Sequence, residues 1–204
     1  MTHASDVPSY LEKLAATIRQ LPLDSINNLI QVFLEAYERD CNIFLFGNGG
    51  SAALASHMAC DLGKGTAPKT GKRLRALALT DNLALITAWA NDTRYENIFA
   101  EQIENLLTAG DVAFAISGSG NSPNVLAALA CARRKGAVTA GITGFQGGQM
   151  KSLCDVCVVV PSDDMQIIED LHLSIAHSVF RALCREIQQA NAAAVLARPA
   201  AAGS

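Results

Sequence analysis

An α/β fold, with five parallel strands in one sheet and helices on both of its faces, is what this 204-residue sequence predicts. Three observations carry the prediction. Five short apolar runs, at 43–46, 74–79, 112–116, 138–142 and 156–160, alternate with segments of helical periodicity. Strands that are apolar along their whole length are buried on both faces, as in a parallel sheet with helical crossovers. The first and third runs pass directly into turns rich in glycine and small polar residues, Gly47-Asn48-Gly49-Gly50-Ser51 and Ser117-Gly118-Ser119-Gly120-Asn121-Ser122, each opening a helix. Ligands on such sheets bind outside the carboxyl ends of the strands, where both turns fall.

Residues 8–20 and 24–39 each place apolar side chains at helical spacing: Leu11, Leu14 and Ile18, then Ile26, Leu29, Ile30, Phe33 and Leu34. Leu21-Pro22 separates the two, and Asp24 or Ser25 is the expected cap of the second. This extension, 1–40, is expected to pack on a neighbouring subunit or, equally, on the monomer's own core. The first strand leads to a helix at 52–62, and the Gly-, Pro- and Lys-bearing stretch 64–73 reads as a loop. After the second strand come helices at 83–90 and 96–107, and after the third a helix at 122–134. The fourth strand is followed by a flexible loop at 144–148 and a short helix, the fifth by a long helix at 164–189. Residues 41–190 form one domain, and the alanine-rich tail 191–204, with Pro199, is expected to be disordered.

Half of the residues are hydrophobic and the net charge is −3 with no basic run, which argues against nucleic acid as a main partner. No apolar run reaches membrane-spanning length, and the polar N-terminus lacks a signal-peptide core. The six cysteines are scattered through apolar segments, as expected of buried thiols in a reducing cytoplasm. Cys154 and Cys157 have CxxC spacing, but no second pair completes a four-ligand zinc site.

The two turns differ in specificity. Gly47-x-Gly49-x-x-Ala52 fits a relaxed dinucleotide fingerprint, yet the acidic residue it needs, Asp81, stands too far along the chain. A nucleotide loop at 144–152 fails because Met150 stands where glycine is required before Lys151-Ser152. The Ser117–Ser122 turn offers hydroxyl and backbone donors between a strand and a helix, which can surround a phosphate. The plain alternative is a serine-rich turn with a helix cap.

His57 and Asp61 share a helix face at i and i+4, on the helix leaving the first turn. Glu169 and His177 lie within reach of one face of the last helix, with Asp170 and His172 nearby. Two histidines and two carboxylates can hold a divalent metal such as zinc, or serve as acid and base. For each histidine alone, a surface or satisfied core position is the plain alternative.

Together these residues resemble the SIS (sugar isomerase) domain family and, within it, the phosphoheptose isomerases. The resemblance runs from the N-terminal helices to about residue 189. It rests on Gly47-Asn48-Gly49-Gly50-Ser51 with His57, Ala90-Asn91-Asp92, the turn from Ser117 through Pro123-Asn124, Thr143-Gly144 with Gly147-Gly148, and the helix around His177. It implies a flavodoxin-like three-layer sandwich in a cytoplasmic homotetramer. The implied reaction converts sedoheptulose 7-phosphate to D-glycero-D-manno-heptose 7-phosphate, the first step of ADP-heptose synthesis for lipopolysaccharide.

By the same resemblance, Ser117, Gly118, Ser119 and Ser122 hold the phosphate, and Asn48, Gly49, Gly50, Ser51, Asn91 and Asp92 contact the sugar. His57, Asp61, Glu169 and His177 would carry a zinc ion, with Asp61 and His177 moving protons. The family pattern has Glu where this chain has Asp61 and Gln where it has Glu169. Asp61 is one methylene shorter, and the added carboxylate of Glu169 becomes a second candidate base, with His177 as partner acid. The alternatives are a non-catalytic SIS module resembling replication-initiation regulators, which lack parts of the acid–histidine set, and an isomerase of a related sugar phosphate.

Overall fold

The computed structural model describes residues 6–67 and 72–196. Its sheet contains β1 (Asn42–Gly47), β2 (Arg75–Ala78), β3 (Val112–Ser117), β4 (Val138–Thr143) and β5 (Val156–Val159). The strand order is β2-β1-β3-β4-β5, with every neighbouring pair parallel. This is the doubly wound order of the flavodoxin-like class, whose direction of winding reverses between β1 and β3. There Gly47 pairs with Ile116, so the two turns leave the sheet side by side.

Alternate residues of the central strands feed two cores, as a period of two dictates. Ile43, Leu45, Val112, Phe114 and Ile116 face one side, where they meet α2 (Leu23–Glu38), α3 (Gly50–Cys60) and α8 (Met165–Leu196). Phe44, Phe46, Ala113 and Ala115 face the other, under α5 (Ala100–Leu106), α6 (Pro123–Arg134) and α7 (Met150–Leu153). The remaining helices are α1 (Asp6–Ile18) and α4 (Leu83–Asp92), with a 3-10 turn at Tyr95–Asn97.

The two N-terminal helices behave differently. α2 belongs to the chain's own core: Leu29 and Phe33 are fully buried, and the Phe33 ring meets Phe114 edge-on at 5.3 Å. α1 buries only Thr17 and leaves Val7, Leu11 and Ile18 exposed. Polar contacts tie it to the C-terminal part of the chain: the Tyr10 hydroxyl donates to Asp170 Oδ2 (2.6 Å) and Lys13 Nζ donates to Asp164 Oδ2 (3.2 Å).

Several local expectations need correction. Neither Asp24 nor Ser25 caps α2: Pro22 is its cap residue, without a side-chain bond, and the helix starts early through Ile26 N donating to the Pro22 carbonyl (3.1 Å). The stretch read as a loop from residue 64 begins as a π-helical turn, Asp61–Gly65, continuing α3; residues 68–71 lie outside the described residues. α8 runs to Leu196, past the expected end at 189, so the first residues of the tail are helical; residues 197–204 lie outside the described residues. The cysteines are free, but only Cys131 is buried and Cys60 is exposed. Among the described residues no helix is long and apolar enough to cross a membrane.

Candidate active site

The first turn gains its shape from glycine. Gly49 takes φ +55° as it caps α3, a left-handed conformation that costs a side-chain-bearing residue but not glycine. Asn48, just before it, is held by a reciprocal amide pair with Asn124 at the start of α6: each Nδ2 donates to the other Oδ1 at 2.8 Å. The Tyr95 hydroxyl also donates to Asn48 Oδ1 (3.1 Å). Asn124 is buried, a role that its place at the end of the Ser117–Asn124 motif does not reveal. Tyr95 was missed, since nothing in the local pattern ties it to a residue so far up the chain.

The second turn is built as a cup of donors. Ser117 and Ser122 hydroxyls face each other at 3.3 Å, and the Asn121 backbone N–H donates to Ser119 Oγ (3.2 Å). Ser122 occupies the cap position of α6 without using its hydroxyl as a cap. That hydroxyl and the positive end of the α6 dipole are both suited to an anion. A cavity of 150 Å³ is lined here by Asn48, Ser51, Ser117, Gly118, Ser119, Ser122 and Glu169, among others.

The acid–histidine set comes together within one chain. His57 Nε2 and His177 Nε2 lie 3.0 Å apart, though their residues are on α3 and α8. Asp61 Oδ2 is 3.2 Å from His57 Nε2 and 3.8 Å from His177 Nε2. Asp61 opens the π-helical turn, where the wider backbone coil still leaves it one helical turn from His57. The donor atoms of His57, Asp61 and His177 all fall within 4.8 Å of one another. Two imidazole nitrogens and a carboxylate oxygen at that spacing fit a borderline divalent ion such as zinc. Glu169, expected as a fourth member, is not in this trio.

Glu169 stands instead between two spaces. It lines the 150 Å³ cavity of the serine turn and a second cavity of 310 Å³, together with Gly50, Ser51, His57, Asp170 and His172. The two cavities share Ser51 and Glu169. A molecule with its anionic end among the serines therefore has its other end beside Glu169 and His57. Asn91 and Asp92, expected on the sugar, sit exposed at the end of α4, where Asn91 Nδ2 donates to Asp92 Oδ1 (2.8 Å), and they line neither cavity.

His172 had no role assigned from sequence. It is buried, on the stripe of α8 that also carries Ile168, Leu171, Ile175 and Val179. Burial pushes its ring from the usual 6.5 down to about 4, against the opposing pull of the Thr143 backbone carbonyl. The signal for its burial was its place on that apolar stripe, read as helix but not as the wall of a cavity.

Known proteins share this architecture and much of this sequence. The SIS domain model matches residues 9–144. The phosphoheptose isomerase of Paramagnetospirillum magneticum is 42% identical over 188 residues, covering 92% of this chain and 95% of the relative. The structure of phosphoheptose isomerase GmhA from Neisseria gonorrhoeae superposes with a TM-score of 0.82 at 28% identity, covering 92% of this chain and 100% of that one. A phosphoheptose isomerase from Francisella tularensis superposes with a TM-score of 0.84 at 27% identity, covering 91% and 100%.

Proposed function

This chain belongs to the SIS domain family and, within it, to the phosphoheptose isomerases, and we propose that it interconverts sedoheptulose 7-phosphate and D-glycero-D-manno-heptose 7-phosphate. It is an isomerase. The observation that carries the substrate class is the pair of adjoining cavities: a serine-lined cup for a phosphate ester, and next to it a larger space bounded by Glu169 and His57. The supply of ADP-heptose for surface glycans in the cytoplasm is the setting we assign to the reaction.

An aldose–ketose isomerisation moves a proton between adjacent carbons through an enediol, and a second group moves a proton between the oxygens. Glu169 is the base in our reading. It alone among the acids lines both cavities, whereas Asp61 is engaged by both histidines. His177, with Asp61 behind it, is the partner acid. Holding the ester among neutral donors keeps the reacting carbons in register with Glu169. His57, Asp61 and His177 would hold a zinc ion, which when bound supplies polarisation of the sugar carbonyl in place of that acid proton. Asn91 and Asp92 reach a sugar only from the surface, so we assign them to the outer end of the site.

We also propose a homotetramer. α4 is apolar yet has no buried residue within the chain, and Leu83 on it is 70% exposed. The exposed apolar side chains of α1 add to the surface that assembly would cover. The convergence of His57, Asp61 and His177 favours an enzyme over a regulatory binding module.

The test is turnover by the purified protein of a panel of C5 to C7 sugar phosphates, followed by product chromatography. Isomerisation of sedoheptulose 7-phosphate above the other members is the expected result. Binding of the esters with no turnover of any would overturn the reading.

A further inference from the structure

The CxxC pair Cys154 and Cys157 spans the corner between α7 and the edge strand β5. Cys154 ends α7, its N–H donating to the Met150 carbonyl (2.9 Å), and it packs against the core under α5, α6 and α7. Val156 and Val158 belong to the opposite core, so by strand alternation Cys157 faces the same side as Cys154. Across the ladder Cys157 pairs with Gly141, and a Cβ on Gly141 would stand 2.7 Å from Met150 Cε. The missing side chain lets α7 press onto the sheet beside Cys157.

The corner is fixed from within. The Thr139 N–H donates to Asp155 Oδ2 (2.8 Å), and the Asp155 N–H donates to the Thr139 carbonyl (2.8 Å). The two half-buried thiols are thereby held in contact, with Cys154 donating to the Cys157 sulfur. That hydrogen bond, with the Lys151 ammonium adding to it, holds Cys157 below the usual thiol range against the effect of its burial. The same bond, with burial, holds Cys154 above it. Among the described residues no third histidine, cysteine or carboxylate joins the pair in a metal-binding group. Two sulfurs in contact with no further ligand are arranged for each other.

We propose that Cys154 and Cys157 are a redox-active dithiol that closes to an intramolecular disulfide, with Cys157 as the attacking thiol and a low-molecular-weight disulfide such as oxidised glutathione as the oxidant. The Cys157 thiolate attacks one sulfur of the oxidant, releases one glutathione thiolate and becomes a mixed disulfide. Cys154 gives its proton to solvent, and its sulfur attacks Cys157 Sγ, releasing the second glutathione. Two electrons pass from the cysteine pair to the glutathione pair. The link joins α7 to the sheet edge and stands apart from the proposed reaction, since neither cysteine lines the two cavities of the sugar site.

The test holds the native protein in a buffer of reduced and oxidised glutathione at about 1 mM each, traps free thiols by alkylation in acid-quenched samples and maps the peptides by mass. A 154–157 link, lighter by two hydrogens and lost on adding dithiothreitol, is expected in most chains, with far-UV circular dichroism unchanged. Cys60, exposed and without a thiol partner, carries glutathione or stays free. Cys154→Ser leaves Cys157 carrying glutathione as a lasting adduct, and Cys157→Ser leaves Cys154 a free thiol.

The inference is overturned if both cysteines remain open to alkylation in the unmodified protein, or if either links to another cysteine instead. A 154–157 link that forms only as the native spectrum is lost overturns it too. So does Cys157→Ser protein in which Cys154 takes up glutathione as readily as Cys157 does in Cys154→Ser.

Discussion

Gly50 and Glu169 are packed so that a Cβ on Gly50 would stand 3.3 Å from both carboxylate oxygens of Glu169. The carboxylate therefore rests against the N-terminal end of α3, where the helix dipole favours negative charge. Gly50→Ala must push Glu169 aside by a few tenths of an ångström. Since small displacements of a reacting group are costly, turnover should fall about tenfold with Tm unchanged or slightly raised. Steady-state kinetics and a thermal melt check this; unchanged kcat would remove Glu169 from the base position.

His177→Ala removes the partner acid and one imidazole of the trio. Turnover should drop about a thousandfold, within the range of lost acid–base catalysis, while calorimetric binding of the phosphate ester is largely kept. Equal loss of binding and turnover would argue against dividing the site into a grip and a reacting end.

Ser122 offers a hydroxyl that α6 does not use as a cap. Ser122→Ala should leave Tm within a degree or so, because no helix cap is lost. KM for the phosphate ester should rise about tenfold or more, the effect of removing one hydrogen bond to a charged group. A fall in Tm with KM unchanged would make the residue structural.

Zinc binding is read directly by metal analysis after dialysis. One ion per chain is the expected content, and His57→Ala should weaken it by at least about a hundredfold. Activity lost to a chelator should return with added zinc. Full activity in a metal-free preparation would reserve the trio for proton transfer alone.

His172 sets an acid limit on stability. Its folded-state pKa is depressed to about 4 from 6.5, so the unfolded chain binds the proton first on acidification. Stability is unaffected above about pH 6.5 and declines as pH falls from there to about 4, by up to about 3 kcal/mol. His172→Leu should lose this component. Thermal melts across that window compare the two proteins, and identical acid slopes would refute it.

Much of this could be read in the chain because the signals are local. Unbroken apolar runs such as 112–116 mark strands buried on both faces, and a glycine turn followed by a helix marks a ligand end. The pairing of His57 with Asp61 follows from helical spacing alone. Errors arose where packing overrides local pattern. The glycine, proline and lysine content of 64–73 suggested a loop, yet its first residues continue the helix as a π turn against α8, where the position of a Gly65 Cβ is filled by the Phe180 ring. Tyr95 on Asn48 and the burial of Cys131 but not Cys60 depend on which surfaces meet.

Taken alone, the sequence determined the parallel α/β plan, the two turns and which side chains have the chemistry for an acid–base or metal site, because periodicity and residue type are properties of short stretches. Only the tertiary structure decided that His57 and His177 converge, that Glu169 stands between two cavities instead of joining them, and that His172 is buried. Those distances depend on how α3 and α8 pack over the same sheet edge, and no pattern within either helix carries that information.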